Sequence, residues 1–214
     1  MRAPRIVAHR PLPRLHALTD SAVRTRDDLG IRAAAIAAAG PAVALHARDR
    51  AASSALLLAF AERLGALARP PEAALFVSAR ADIAAIAGAH GVQLGSKDLA
   101  PADARRTFDG WIGRSVHSAD EAKAARDEGA DYLIAGNVYD TASHPGRAPA
   151  GPALLEDAAA TGLPVIAVGG VTADRVHELR DAGAWGVAAI TALWDAADPA
   201  AAALALLAPW SADA

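Results

Sequence analysis

The sequence predicts an α/β protein built as a single (β/α)8 TIM barrel, and three observations carry the prediction. Short aliphatic runs alternate with alanine-rich amphipathic stretches along the chain, the pattern of strand–helix units around a parallel sheet. Eight such runs occur, at Leu15–Thr19, Ala42–Ala47, Ala74–Ser78, Gly91–Leu94, Trp111–Ser115, Tyr132–Ala135, Pro164–Val168 and Gly186–Ile190. The 214 residues carry no linker, charge block or low-complexity tract that would divide them, and they suit one barrel. An open doubly wound sheet is the alternative. It calls for a glycine-rich turn after the first strand, and Leu18-Thr19-Asp20 supplies none.

Taken in order, residues 1–14 read as an N-terminal lead-in. They are basic, broken by Pro4, Pro11 and Pro13, and lack the apolar centre of a signal peptide. Residues 15–209 make the barrel domain, and residues 210–214 a C-terminal tail expected to fray. The clearest helices are Ser53–Leu67, Ser118–Glu128 and Ala173–Ala182. Ser118-Ala119-Asp120-Glu121 is a capping box, and Gly129, Gly162 and Gly183 stand where helices should stop. The stretch from Val138 to Gly151, which contains Ser143-His144-Pro145-Gly146-Arg147, is long for a connection in a compact barrel. Following the sixth strand, it belongs on the face where barrels do chemistry and reads as a lid or binding loop.

Composition excludes several classes. A hydrophobic fraction of 53% with 21% charged residues supports a large core rather than disorder, and with aromatics at 4% alanine and aliphatic side chains must fill it. The net charge of −3, without a basic block, argues against nucleic acid as a partner. The absence of cysteine removes disulfides, thiolate nucleophiles and cysteine metal sites, and fits a cytoplasmic protein. No apolar run is long enough to span a bilayer.

Strand C-terminal ends carry catalysis in barrels, and the loops after strands seven and eight commonly bind phosphate through backbone N–H groups. That rule selects Gly169 and Gly170, where the main chain can approach an anion unobstructed by Cβ, together with Ile190 and Thr191. The plain alternative is two buried strands with ordinary turns. On the second strand His46 and Arg48 lie two apart and share a side. His46 is a candidate acid or base, Arg48 a candidate for a carboxylate or phosphate, and a surface basic patch is the alternative for both. Ser115 and His117 repeat that spacing, although they also precede the capping box and could simply shape a turn. Asn137, Tyr139, Thr141, Ser143 and His144 crowd hydrogen-bonding groups into the long loop. His9, His90 and His177 fall outside strand ends and read as structural. Asp98 reads as a cap or solvated residue, so no metal site is assigned. No Ser-His-Asp order, HExxH or P-loop is present.

In order and spacing, Leu15-His16-Ala17-Leu18-Thr19-Asp20, Gly91-Val92-Gln93-Leu94-Gly95, Ile112 to Ser118, Gly129 to Thr141, Val168-Gly169-Gly170-Val171 and Ala188-Ala189-Ile190-Thr191 resemble the thiamine phosphate synthase and TenI family, over roughly residues 15 to 195. The resemblance implies a phosphate-binding barrel. A synthase of this family joins an aminopyrimidine pyrophosphate to a thiazole phosphate, with Mg²⁺ and basic side chains stabilising the departing pyrophosphate. Its Gln-x-Arg-x-Lys corresponds to Ala44, His46 and Arg48, its Asn-Asp pair to Ser78 and Ala79, its fourth-strand histidine to Gln93 and its sixth-loop lysine to His144. Of its metal-binding pair only Asp98 remains. These departures favour the TenI-like thiazole tautomerases, which share Gln93 and Ser115-Val116-His117 and move a proton without a cofactor. The tautomerase histidine corresponds to Asn137, which leaves His46 or His144 to handle the proton.

The expectation is therefore a thiazole tautomerase. Its phosphate would sit on Gly169, Gly170, Ile190 and Thr191. Its heterocycle would be oriented by Arg48, Ser115, His117, Asn137, Tyr139, Thr141 and Ser143. The alternatives are a divergent Mg²⁺-dependent thiamine phosphate synthase and a non-catalytic binder on the same barrel. The alanine-rich helix faces are compatible with a homo-oligomer.

Overall fold

A computed structural model describes residues 10–69, 72–141 and 148–213. Its strands are β1 (Leu15–Leu18), β2 (Val43–Ala47), β3 (Ala74–Ser78), β4 (Gly91–Leu94), β5 (Trp111–Val116), β6 (Tyr132–Gly136), β7 (Val165–Val168) and β8 (Gly186–Ala189). Each pairs in parallel with the next, and β8 returns to β1 through Leu15 opposite Val187, so the sheet closes into a barrel in chain order. Every strand matches an expected run to within a residue or so at either end. These strands are covered on both faces and therefore read as continuous apolar runs. Leu15, Ala17, Val43 and Leu45 pack outward into the shell shared with the helices, while Leu18, Ala44, Phe76, Tyr132, Ile134 and Ile166 fill the barrel.

Local signals set most helix starts. The Ser53 hydroxyl accepts from the Leu56 N–H at the head of Ser54–Ala68, and Ser118 accepts from Glu121 at the head of Ala119–Asp127. The Glu121 carboxylate reaches back to the His117 N–H at 2.7 Å, one residue earlier than a standard capping box requires. The expected helix over Ala173–Ala182 is shorter, Val176–Asp181. Its first turn is replaced by a tight turn in which the Arg175 N–H donates to the Thr172 carbonyl.

Residues 10–14 and 208–213 pack onto the two ends of the barrel domain. Residues 10–14 seal the N-terminal end of the barrel, with Leu12 in its interior. The Trp111 indole donates to the Arg10 carbonyl and the Trp185 indole to the Leu12 carbonyl, each at 3.2 Å. The Arg14 guanidinium lies 3.5 Å over the Trp185 ring and donates to the Trp185 carbonyl at 2.7 Å. After residue 209 the chain does not fray at once. A 3₁₀ helix covers Ala208–Asp213, and Trp210 is buried because its large apolar ring joins the outer core. No helix among the described residues is long and apolar enough to cross a membrane.

Candidate active site

The strand C-termini open as a mouth above a polar floor inside the barrel. His16 on β1 and His46 on β2 are both fully buried, with His16 Nδ1 2.7 Å from His46 Nε2. His16 Nε2 lies 3.1 Å from the Pro13 carbonyl, which can only accept. His16 therefore carries its proton on Nε2, its Nδ1 accepts from His46 Nε2–H, and His46 Nδ1 is left as a bare acceptor. Burial lowers both side chains. His16 falls to about 4, and His46 falls well below its ordinary value, its protonated form further disfavoured by repulsion from His16 when that too is protonated and from Arg48. The His46 ring stacks on Phe76 with centroids 5.0 Å apart, and Tyr132 completes the cluster.

Gln93 on β4 donates to the Ser115 hydroxyl at 3.0 Å. Its Oε1 occupies space that a side chain at Gly113 would fill, beside the Tyr132 ring. Within this floor His46 Nδ1, Ser78 Oγ, Gln93 Oε1 and Tyr132 Oη are buried without a protein partner. Buried polar atoms need partners, so the floor is built to receive hydrogen bonds from water or a ligand. Spacing puts His46 on the same side as Arg48, but it lies one layer down, buried, with Nε2 committed to His16, so any acid–base role falls to its Nδ1 alone.

Arg48 reaches the mouth. It is half-buried, donates to the Thr19 carbonyl at 3.1 Å, and lines a cavity of about 290 Å³ with Asp20, Ser21, Asp49, Arg50, Ala51 and Ile190. Burial lowers the Arg48 pKa, and nearby Arg50 lowers it further. The Thr19 hydroxyl bridges β1 to β2, 2.8 Å from the His46 carbonyl and 2.9 Å from that of Arg48. Asp20 caps the helix Ser21–Arg24, and Asp49 is paired to Arg24 at 2.7 Å, so neither is a free carboxylate in this cavity.

Across the mouth, Gly169 and Gly170 have φ of +98° and +63°, values that L side chains resist. Space demands glycine there too. A Cβ on Gly169 would stand 2.5 Å from Asn137 Cβ, and one on Gly170 would stand 2.6 Å from the Asp140 carbonyl. No backbone hydrogen bond among the described residues uses the amide N–H of Gly169, Gly170, Ile190 or Thr191. Thr191 is the first residue of the helix Thr191–Trp194. Asn137, nearly buried, follows β6 under this turn. The stems of the long loop close on each other, the Ala150 N–H on the Asn137 carbonyl and the Gly151 N–H on the Val138 carbonyl.

Other expected residues are occupied otherwise. Tyr139 donates its phenol to Glu178 at 2.6 Å, and burial with the adjacent carboxylate pushes its pKa up to about 12. The His117 ring is hydrogen-bonded to the Gly136 carbonyl, next to the β6 exit. Thr141 is half-buried at the end of the described stem. Ser143 and His144 lie outside the described residues, as does His9. His90 accepts from the Leu75 N–H, and His177 is exposed on the outer helix layer. Asp98 accepts from the Gly95 N–H at 2.6 Å, tightening the loop after β4. Ala79 has no carboxylate to offer, and no group of three His, Asp or Glu that could hold a metal ion occurs among the described residues. Sequence reasoning missed Arg175, which bonds the Gly170 carbonyl, and Glu178, which accepts from Tyr139. Both sit within ten residues of the glycine pair, on a segment read as ordinary helix.

A closed parallel barrel with an arginine and backbone amides unpaired among the described residues at its strand C-termini defines a (β/α)8 protein whose candidate chemistry lies at the mouth. The profile of the family described as thiamine monophosphate synthase (TMP-TENI) matches residues 15–193. The thiamine-phosphate synthase of Thermus thermophilus is 41% identical over 174 residues, covering 80% of this chain and 84% of that one. The thiamine-phosphate synthase of Methanoculleus marisnigri is 39% identical over 202 residues, covering 90% and 92%. Among solved structures, the thiamine phosphate pyrophosphorylase of Pyrococcus furiosus superposes with a TM-score of 0.76 at 29% identity, covering 90% of this chain and 93% of that one. The chain belongs to the thiamine monophosphate synthase family.

Proposed function

We propose that the chain is an enzyme of thiamine biosynthesis and acts as a thiamine-phosphate synthase on a thiazole phosphate and an aminopyrimidine pyrophosphate. Relatives named as synthases at 39–41% identity favour this reading over the tautomerase expectation. The observation that carries the phosphate part is the pair of loops after β7 and β8. Left-handed Gly169 and Gly170 and the helix start at Thr191 offer amides without an acceptor among the described residues, and Ile190 lines the cavity that holds Arg48. In the coupling, the bond from the pyrimidine methylene carbon to the pyrophosphate oxygen breaks, the thiazole nitrogen bonds to that carbon, and pyrophosphate leaves. Arg48 is the side chain best placed to hold the departing negative charge.

The residues do not fit a resident Mg²⁺. Ala79 stands at the position of a carboxylate in the resembled pattern, and Asp98 Oδ2 already accepts a backbone N–H. No step is therefore assigned to the metal. That same deficit favours a second reading, thiazole tautomerisation, which moves a proton and needs no metal. This reading rests its acid–base role on His144 or on the unpartnered Nδ1 of His46.

One experiment separates the two. The purified protein is incubated with both synthase substrates, with and without Mg²⁺, and thiamine phosphate is measured by chromatography. In parallel, aromatisation of the thiazole carboxylate phosphate tautomer is followed without metal. Coupling above the uncatalysed rate supports the synthase. Aromatisation without coupling overturns it in favour of the tautomerase, and saturable binding with neither reaction leaves a binder.

A further inference from the structure

We propose that Arg175 is a positioning residue that holds the Gly169–Gly170 turn in its anion-binding shape and couples it to the stem of the β6 loop. The inference rests on the phosphate reading of that turn. Arg175 lies just before the helix Val176–Asp181, and its Nη1 donates to the Gly170 carbonyl at 2.7 Å. Its guanidinium carbon stands 4.3 Å from the centroid of the Tyr139 ring. Tyr139 is held from the far side, its phenol bonded to Glu178 one turn along the same helix and its N–H to the Gly169 carbonyl at 3.1 Å. Both glycine carbonyls are thus fixed by donors, Gly169 by the loop stem and Gly170 by Arg175.

Pinning the carbonyls has a geometric consequence. A peptide unit is planar, so fixing the direction of its C=O also fixes that of the N–H on the next residue. The Gly169 carbonyl sets the Gly170 N–H, and the Gly170 carbonyl sets the Val171 N–H. Two consecutive left-handed glycines have wide conformational freedom, and without these anchors the turn would sample many orientations of its amides. The cation–π contact and the Tyr139–Glu178 bond favour the Arg175 conformation that reaches Gly170. The β6 loop stem and the turn after β7 therefore order as a unit, so an anion on the turn also stiffens the stem.

The test is titration of the purified full chain with inorganic phosphate, followed by calorimetry, with melting temperatures recorded in its absence. Arg175→Ala is expected to weaken phosphate binding at least fivefold while the phosphate-free melting temperature moves by no more than a few degrees. Arg175→Gln keeps a donor for the Gly170 carbonyl but no charge, and is expected to recover part of the loss. Tyr139→Leu, which removes the ring under the guanidinium, is expected to weaken binding about twofold to threefold. Unchanged phosphate affinity in Arg175→Ala overturns the proposal. A wild-type chain without saturable phosphate binding defeats the phosphate reading itself, and this inference with it.

Discussion

The two sides of the barrel mouth are built on opposite plans. On the β7–β8 side the proposed binding groups are main chain, with side chains proposed to hold them: glycines at positive φ, amides without an acceptor among the described residues, and Arg175 and Tyr139 as braces. On the β2–β4 side the binding groups have to be side chains, and most are small or turned inward: Ala44, His46, Ser78, Ala79 and Gln93, with Arg48 as the reaching cation. A backbone site survives wide change in the surrounding sequence so long as its glycines remain. A side-chain site is lost one substitution at a time. Family membership and an altered metal-binding pattern therefore coexist in one chain without contradiction.

The largest effect is expected where the backbone side admits no change. Gly169→Ala places a Cβ 2.5 Å from Asn137 Cβ at a φ of +98°. It should cost about 3 kcal/mol or more of stability and abolish phosphate binding, as read by urea unfolding and calorimetry. A variant that binds phosphate normally would remove the main-chain half of the comparison.

Acid should strike the other side first. The His16 pKa in the fold is about 4 against an ordinary 6.5. The unfolded chain thus takes up a proton that the fold refuses as pH falls below about 6.5. Stability is full above that pH and is lost on descending to about 4, by about 3 kcal/mol from His16, with His46 adding in the same direction. Urea midpoints at pH 7.5, 5.5 and 4.5 measure this. A His16→Leu, His46→Leu variant should flatten the dependence, and a flat profile in the parent chain would place the histidine pair in water.

A smaller change tests whether the side-chain half can be restored. Ala79 already has a φ of +68°, a region that Asp tolerates better than Ala. Ala79→Asp should therefore leave the melting temperature unchanged and tighten Mg²⁺ binding about tenfold, or about 1.4 kcal/mol, by calorimetry. The smallest effect is expected for Ser115→Ala. Removing the acceptor for Gln93 Nε2 should cost about 1 kcal/mol of stability in urea and leave phosphate affinity alone.

The barrel was legible because a parallel sheet covered on both faces writes each strand as a short unbroken apolar run, and Ala74–Ser78 and Gly91–Leu94 could be delimited to the residue. Depth was not legible. The spacing of His46 and Arg48 says that they share a side, yet one lies within the floor and the other at the rim, and only the stagger of neighbouring strands decides which. Ser115 and His117 show the same limit. Ser115 accepts from Gln93 in the floor, while His117, past the strand end, turns to the Gly136 carbonyl. Arg175 was hidden because its role depends on a carbonyl five residues earlier that no periodicity marks.

The seal at the N-terminal end of the barrel has a consequence for the order of events during synthesis. Arg14 and Leu12 find their partners on Trp185, 171 and 173 residues away along the chain. While the ribosome is still making the later strands, the floor plug and the open edge of β1 have nothing to close against. Contacts of such long range come late and slow folding. The edge of β1 that faces β8, with Leu12 and Arg14, therefore lacks its partners until β8 emerges, and this edge is where a chaperone would have the longest time to act.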